Sequence, residues 1–176
     1  MQHPRDLASV KIPCLRTPLS EDGADVWELV RSCKPLDENS MYCNMIQCDH
    51  FSETCVLAEL RGEVVGWISA YVLPDDPDTL FIWQVAVSEN ARGMGLGTTM
   101  LQEILERDAC EGVRRIQTTI TADNEASWAL FRKFGRLQGS PLDIQPHYKK
   151  SSHFQNRHQT ENLVTIPLAE SLANAA

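Results

Sequence analysis

Residues 80–97, LFIWQVAVSENARGMGLG, constrain the fold more than any other stretch of the 176-residue chain. LFIWQVAV (80–87) is a near-continuous apolar run, and its length predicts a strand buried on both faces. It feeds the glycine-rich loop Arg92-Gly93-Met94-Gly95-Leu96-Gly97, which opens a helix running to about Cys110. Met100, Leu101, Ile104 and Leu105 mark the inner face of that helix. A strand covered on both sides requires helices over both faces of a sheet, so the chain is of the α/β (α+β) class.

The loop also has a chemical meaning. A helix N-terminus leaves backbone N–H groups unpaired and carries partial positive charge. Glycines let that backbone approach phosphate oxygens with no Cβ in the way, and Arg92 adds a full charge beside them. The site suits a pyrophosphate. It is not a dinucleotide fingerprint. The glycines are spaced G-x-G-x-G rather than G-x-G-x-x-G, and the preceding strand lies in mid-chain. The position about 20 residues on falls inside the strand VRRIQTTIT, not on an acidic residue at a strand end. The P-loop pattern is missing as well.

The other elements follow from periodicity and punctuation. VKIPCLRTP reads as a short first strand ending near Arg16. Ser20 is a candidate cap for a helix over 20–33, where Val26, Val30 and Cys33 share a face with Trp27 alongside. Pro35 breaks it, and a second helix runs from about Ser40 to His50 with Asp37 or Asn39 as its cap. TCVLAEL and VVGWISAYVL flank the turn Arg61-Gly62-Glu63 as a hairpin, and PDDPDT (74–79) reads as a loop. VRRIQTTIT (113–121) is a strand, NEASWALFRKFG (124–135) a helix stopped by Gly135, 139–160 irregular, and ENLVTIPL (161–168) the last strand. The order β-α-α-β-β-β-α-β-α-β-β describes one domain over 1–176, with an ordered core at about 12–168 and flexible ends at 1–11 and 169–176.

Composition excludes several classes. Apolar residues make up 43% of the chain, too many for a disordered one, and a formal charge of -8 would repel nucleic acid. That acidity suits a cationic substrate, although solubility alone explains it. No apolar run approaches the ~20 residues that span a bilayer, so neither membrane nor nucleic acid is expected as a partner, and a cytoplasmic location is. The six cysteines form no C-x-x-C pair and read as buried free thiols, with no metal site.

The loop from Arg92 to Gly97, following a central strand, resembles the CoA-pyrophosphate loop of the GCN5-related N-acetyltransferase (GNAT) superfamily, and the element order fits along essentially the whole chain. Asn124, Phe131, Lys133 and Gly135 are similar to that superfamily's later helix. The resemblance implies a mixed, mostly antiparallel sheet of six to seven strands, with acetyl-CoA held where the fourth strand splays from the fifth. It implies that Val85 and Val87 hold the pantetheine arm through their backbone groups, an N–H near Val87 polarising the thioester carbonyl. Arg92, Gly93, Gly95 and Gly97 would hold the phosphates, and Asn124 would face the cofactor. Many members carry a tyrosine acid in the later helix; Phe131 takes its place here and cannot donate a proton. Another donor then serves, or the thiolate, with a pKa near ~8.5, leaves without help.

An amine must lose its proton before it attacks a thioester, so a carboxylate or imidazole is needed nearby. Two clusters supply one: KPLDENSMY (34–42), whose bland explanation is helix capping, and HQTENLV (158–164), whose histidine could be an ordinary surface residue. PLDENSMYCNMIQCDHFSETCV, LFIWQVAV, RGMGLG, TIT-x-x-N and ENLVTIPL together resemble the L-2,4-diaminobutyrate acetyltransferases of ectoine biosynthesis, over about 16–168. This resemblance implies a small diamino acid substrate acetylated at N4, and a homodimer. Asp37 and Glu161 would face the amines, Asn39, Ser40 and Tyr42 would donate hydrogen bonds, and Trp83 would wall the aliphatic part. Glu161, His158 and Asp37 are the candidate catalytic groups, with the base not separable between His158 and Glu161. Direct transfer in a ternary complex is expected; Cys33 or Cys43 as a covalent nucleophile is the competitor, without a neighbouring base in sequence. The alternatives are transfer to another diamine, a polyamine or a peptide amine, and a non-catalytic acyl-CoA sensor.

Overall fold

The computed structural model describes residues 12–169. The ends expected to be flexible lie outside these, except Ala169, whose N–H donates to the Gln138 side chain at 3.1 Å. One sheet runs in the order β1-β2-β3-β4-β5-β7-β6. Its strands are β1 (Cys14–Arg16), β2 (Val56–Leu60), β3 (Glu63–Leu73), β4 (Asp76–Val87), β5 (Arg115–Thr121), β6 (Asp143–Tyr148) and β7 (Glu161–Pro167). Every neighbouring pair is antiparallel except β4 and β5.

Helices α1 (Gly23–Ser32) and α2 (Met41–His50) cover one face, and α3 (Leu96–Leu105) and α4 (Glu125–Gln138) the other. On the first face, Val26, Leu29 and Val30 of α1 pack with Cys48, Leu57 and Trp67. On the second, Met100, Leu101 and Ile104 of α3 and Phe131 and Phe134 of α4 meet Leu80, Ile82, Ile116 and Val164. The helical spacings read from sequence thus mark the surfaces that are buried.

A bulge in β4 decides how the strand is used. Ser69 of β3 faces Gln84, but its neighbour Ala70 faces Ile82, which leaves Trp83 as an extra residue. An extra residue reverses the side-chain alternation. Before it, Leu80 and Ile82 enter the α3/α4 core; after it, Val85 and Val87 pack on that core and Ala86 joins the α1 core. Trp83 is 48% exposed, beside Tyr71 at 6.4 Å between ring centroids. Burial of 80–87 on both faces is therefore corrected: the strand alternates, because none of the described helices covers Phe81 and Trp83.

The same strand opens the sheet. β4 pairs with β5 only from Thr79 to Ile82, against 115–118. Beyond that point β4 stays with β3 as far as Val87, and β5 stays with β7 as far as Thr121. The parallel pair therefore parts in mid-sheet, and its two free edges bound the clefts described below.

Several boundaries differ from the sequence reading for local reasons. The segment 74–79 is not a loop: β4 begins at Asp76, whose carboxylate accepts from Thr79 and Arg115 and fixes the strand start. Gly135 does not stop α4. The helix continues to Gln138 and ends on left-handed Gly139 (φ 65°), while Gly135 leaves room for Leu142. The stretch 139–160 contains β6, an exposed edge strand without the apolar alternation that would reveal it. Ser20 caps nothing; the Asp22 carboxylate accepts from Leu19 N–H and holds Arg16 through two bonds of 2.7 Å. The helix after the glycine loop ends at Leu105, followed by a short turn over Asp108–Cys110. Among the described residues no helix is long and apolar enough to cross a membrane.

Candidate active site

The parting of β4 and β5 is flanked by two clefts that share Pro35, Leu36, Val85, Asn124 and Ser127 as a common wall. The first, about 510 Å³, runs from Cys33 and Val87 to the glycine loop. Ser88 donates its N–H to Val65 of β3 at 2.9 Å, so by strand alternation the backbone groups of Val87 and Val85 point the other way, into the gap. The Cys33 thiol confirms that direction by donating to the Val87 carbonyl at 3.4 Å.

Arg92, Gly93, Gly95 and Gly97 all line this cleft. Gly93 and Gly95 hold φ of 78° and 76°, which any other residue adopts only with strain, and Gly95 is the residue from which α3 starts. Lys133 of α4 also lines the cleft, its Nζ 3.9 Å from where a Gly95 Cβ would stand. Two cations and the N–H groups of a fresh helix therefore converge on one mouth, which fits the diphosphate of CoA. Lys133 had no assigned role in the sequence; its position nine residues after Asn124 on a helix was the available signal.

The second cleft, about 500 Å³, collects Asp37, Asn39, Trp83, Asn124, His158 and Glu161. His158 Nε2 stands 3.5 Å from an Asp37 oxygen and 3.8 Å from a Glu161 oxygen. Its Nδ1 lies 2.8 Å from the Gln159 carbonyl, an acceptor, so Nε2 is the ring nitrogen turned to the two carboxylates. Glu161 opens β7, with its side chain 17% exposed, and burial pushes its carboxyl up from the usual carboxylate range. The His158 charge, a Thr119 hydrogen bond and the neighbouring Asp37 and Asp123 act on it more weakly.

The placement of Asp37 rests on a residue that sequence reasoning passed over. Gln84, buried in β4, donates to the Asp37 carbonyl at 2.8 Å and accepts from the Asn39 amide at 3.3 Å. Trp27 donates to the Asn39 carbonyl at 2.9 Å. The signal was the lone polar residue in LFIWQVAV: a buried amide needs partners.

Capping is not the role of Asp37 or Asn39. Ser40 caps α2 by accepting from Cys43 N–H at 3.1 Å, which frees Asp37 to face His158. Ser40 and Tyr42 do not line either cleft, and Tyr42 is 71% exposed. Asn124 lines both clefts and caps α4 through Ser127 N–H. Phe131 sits one turn beyond Ser127, buried, with its ring on the amine cleft. Cys33 faces the cofactor cleft with no carboxylate or imidazole bonded to it among the described residues, and Cys43 lines neither cleft. Among the described residues no group of three His, Cys, Asp or Glu could hold a metal.

Comparison with known proteins agrees with this geometry. Residues 23–135 match the acetyltransferase (GNAT) family model. The chain is 47% identical over 161 residues to L-2,4-diaminobutyric acid acetyltransferase of Methylotuvimicrobium alcaliphilum, covering 92% of this chain and 94% of that one. It is 48% identical over 153 residues to the protein of the same name from Vibrio parahaemolyticus, covering 87% and 84%. Among solved structures, diaminobutyrate acetyltransferase EctA from Paenibacillus lautus, in complex with its substrate L-2,4-diaminobutyric acid and coenzyme A, superposes with a TM-score of 0.85. That match is at 38% identity over 90% of this chain and 96% of that one. The splayed strand pair, the glycine loop at the head of α3 and these matches together place the chain in the acetyltransferase (GNAT) family, among the L-2,4-diaminobutyric acid acetyltransferases.

Proposed function

We propose that this protein transfers the acetyl group of acetyl-CoA to the 4-amino group of L-2,4-diaminobutyrate, in ectoine biosynthesis in the cytoplasm. The observation that carries the reading is the common wall of the two clefts. It puts a diphosphate cradle on one side of the β4–β5 gap and the Asp37–His158–Glu161 cluster on the other.

Acetyl-CoA supplies an activated acyl group as its thioester. Arg92, Lys133 and the α3 amides hold its phosphates, and the free edge of β4 at Val85 and Val87 aligns the arm. Asp37 and Glu161 neutralise the substrate's two ammonium groups. Glu161 accepts the proton of the attacking amine, directly or through His158; burial has raised its pKa and so strengthened it as a base. A Val87 amide polarises the carbonyl under attack. The Ser127 hydroxyl, on the wall between the clefts, donates a hydrogen bond to the departing sulfur, the task that Phe131 cannot perform. Direct attack needs no acyl-enzyme.

A homodimer is part of this reading. Tyr71, Phe81, Trp83 and Tyr148 line a groove of about 400 Å³ on a part of the sheet that none of the described helices covers, which suits a second copy. The decisive assay is thiol release from acetyl-CoA with L-2,4-diaminobutyrate, followed by identification of the acetylated nitrogen. Acetylation at N4 is expected. Equal turnover of unrelated polyamines would assign a broad amine acetyltransferase, and tight acetyl-CoA binding without turnover would assign a sensor.

A further inference from the structure

The amine cleft has a basic rim that acetyl transfer leaves unused. Lys150 and Arg157 both line it, beside Asp37, Asp123 and Glu161. They are seven residues apart, yet the segment between β6 and β7 folds back and brings them together. His153 N–H donates to the Lys149 carbonyl at 2.9 Å, Asn156 N–H to the Lys150 carbonyl at 2.8 Å, and Arg157 N–H to the Phe154 carbonyl at 2.9 Å. Thr160 accepts from Lys150 N–H at 3.1 Å, and the Phe154 ring packs on His158 at 4.6 Å between centroids.

The turn that delivers Arg157 is costly to build. Gln155 and Asn156 both adopt left-handed backbone, with φ of 50° and 63°. Non-glycine residues seldom adopt that region, and where they do they cluster at ligand sites. Arg16, Arg31, Lys34, Arg107 and Arg115 each pair with a carboxylate. Among the described residues Lys150 and Arg157 have no such partner, although three carboxylates line the same cleft.

We propose that Arg157, with Lys150 beside it, is the subsite for the α-carboxylate of the substrate, and that this pair makes the cleft select diamino acids over bare diamines. The proposal rests on the acetyltransferase reading above and deepens it. Two acidic groups alone would accept any diamine of suitable length. A guanidinium at the rim attracts a carboxylate and repels an unshielded second ammonium, so it both favours the right ligand and disfavours the wrong one. It also orients the substrate: with the carboxylate held at the rim, the far amine reaches toward Glu161 and the common wall.

The test compares L-2,4-diaminobutyrate with 1,3-diaminopropane, the same molecule with hydrogen in place of the carboxylate. The wild-type enzyme, Arg157→Ala and Arg157→Ala/Lys150→Ala are assayed for the KM of diaminobutyrate, the Ki of diaminopropane and the KM of acetyl-CoA. In Arg157→Ala the KM for diaminobutyrate should rise about tenfold or more, the range of a lost charge-assisted hydrogen bond. The Ki of diaminopropane should stay level or fall, the acetyl-CoA KM should not move, and the double variant should widen the difference. An unchanged diaminobutyrate KM, or an equal loss for both ligands, would overturn the proposal; the equal loss would make Arg157 a support for His158. A wild-type enzyme that releases no CoA with diaminobutyrate would instead refute the acetyltransferase reading, before any variant is measured.

Discussion

The two clefts share a wall but are built by opposite means. The cofactor cleft takes most of its phosphate cradle from one contiguous segment, 92–97, with Lys133 added from α4, and relies mainly on backbone: left-handed glycines, a helix start and a strand edge. The amine cleft uses side chains drawn from residues 37–39, 83–84, 119–124 and 150–161, which only the complete sheet brings together. Backbone recognition depends on shape and resists change only where a Cβ is forbidden. Side-chain recognition depends on individual charges, so each of its members is exposed to a single substitution.

That contrast predicts its own largest effect on the amine side. Glu161→Gln keeps the shape of the cleft and removes the proton acceptor, so kcat should fall by about 10²–10⁴-fold, the usual range for a general base. The KM for acetyl-CoA should hold. Only the carboxylate form accepts a proton, and burial raises its pKa above the ordinary 4.5. The wild-type rate should therefore fall as pH drops through that raised value, with the acid limb lying above the ordinary carboxylate range. The variant should lose this limb. A pH–rate profile of kcat with the limb intact in Glu161→Gln would transfer the base role to His158.

Next in size comes the backbone side. Gly95→Val puts a β-branched residue at φ 76° and a side chain into the phosphate approach, beside Lys133. Its acetyl-CoA KM should rise about tenfold or more, given strain of roughly 1–3 kcal/mol, while the diaminobutyrate KM stays within error. Titration calorimetry with CoA checks the first, and steady-state kinetics the second. Equal damage to both substrates would erase the distinction between the clefts.

The difference in construction also explains what could be read from sequence. RGMGLG announces itself because the elements it needs, strand, glycines and helix, are neighbours in the chain. The two core faces were legible for the same reason, through the spacing of Val26, Val30 and Cys33 and of Met100, Leu101 and Ile104. The bulge at Trp83 was not, because it is a mismatch in register between β3 and β4, and no single strand encodes it. Asp37 looked like a helix cap because the competing cap, Ser40, stood three residues away and either fits the pattern. Lys150 and Arg157 lie in a segment without periodicity, where turns closed by Lys149, Lys150 and Thr160 decide the geometry.

Asp37→Ala sharpens the contrast with a smaller effect. The Asp37 side chain is 83% exposed, so solvent weakens its attraction for an ammonium group. A rise in diaminobutyrate KM of about three- to tenfold is expected, with acetyl-CoA affinity and thermal stability unchanged, because Ser40 performs the capping. A drop in melting temperature would mean that the segment 37–39 is held by its charge rather than by Gln84 and Trp27.

Cys33→Ser should have the smallest effect, and that makes it the sharpest probe of the backbone cleft. Among the described residues Cys33 is the one thiol that lines either cleft, and its S–H already donates to the Val87 carbonyl. Among the described residues no base is bonded to it, so none prepares it as a nucleophile. Burial pushes the thiols of Cys48 and Cys55 up to about 12 and that of Cys110 to about 11, which keeps these three in the unreactive thiol form. A serine keeps a donor for Val87 and leaves the direction of the strand edge intact. Turnover should therefore stay within about threefold of wild type, the scale of one altered neutral hydrogen bond. If a folded Cys33→Ser protein bound acetyl-CoA normally yet lost turnover a hundredfold, the cofactor cleft would depend on one side chain after all. The acetyl group would then have to pass through sulfur on its way to the amine.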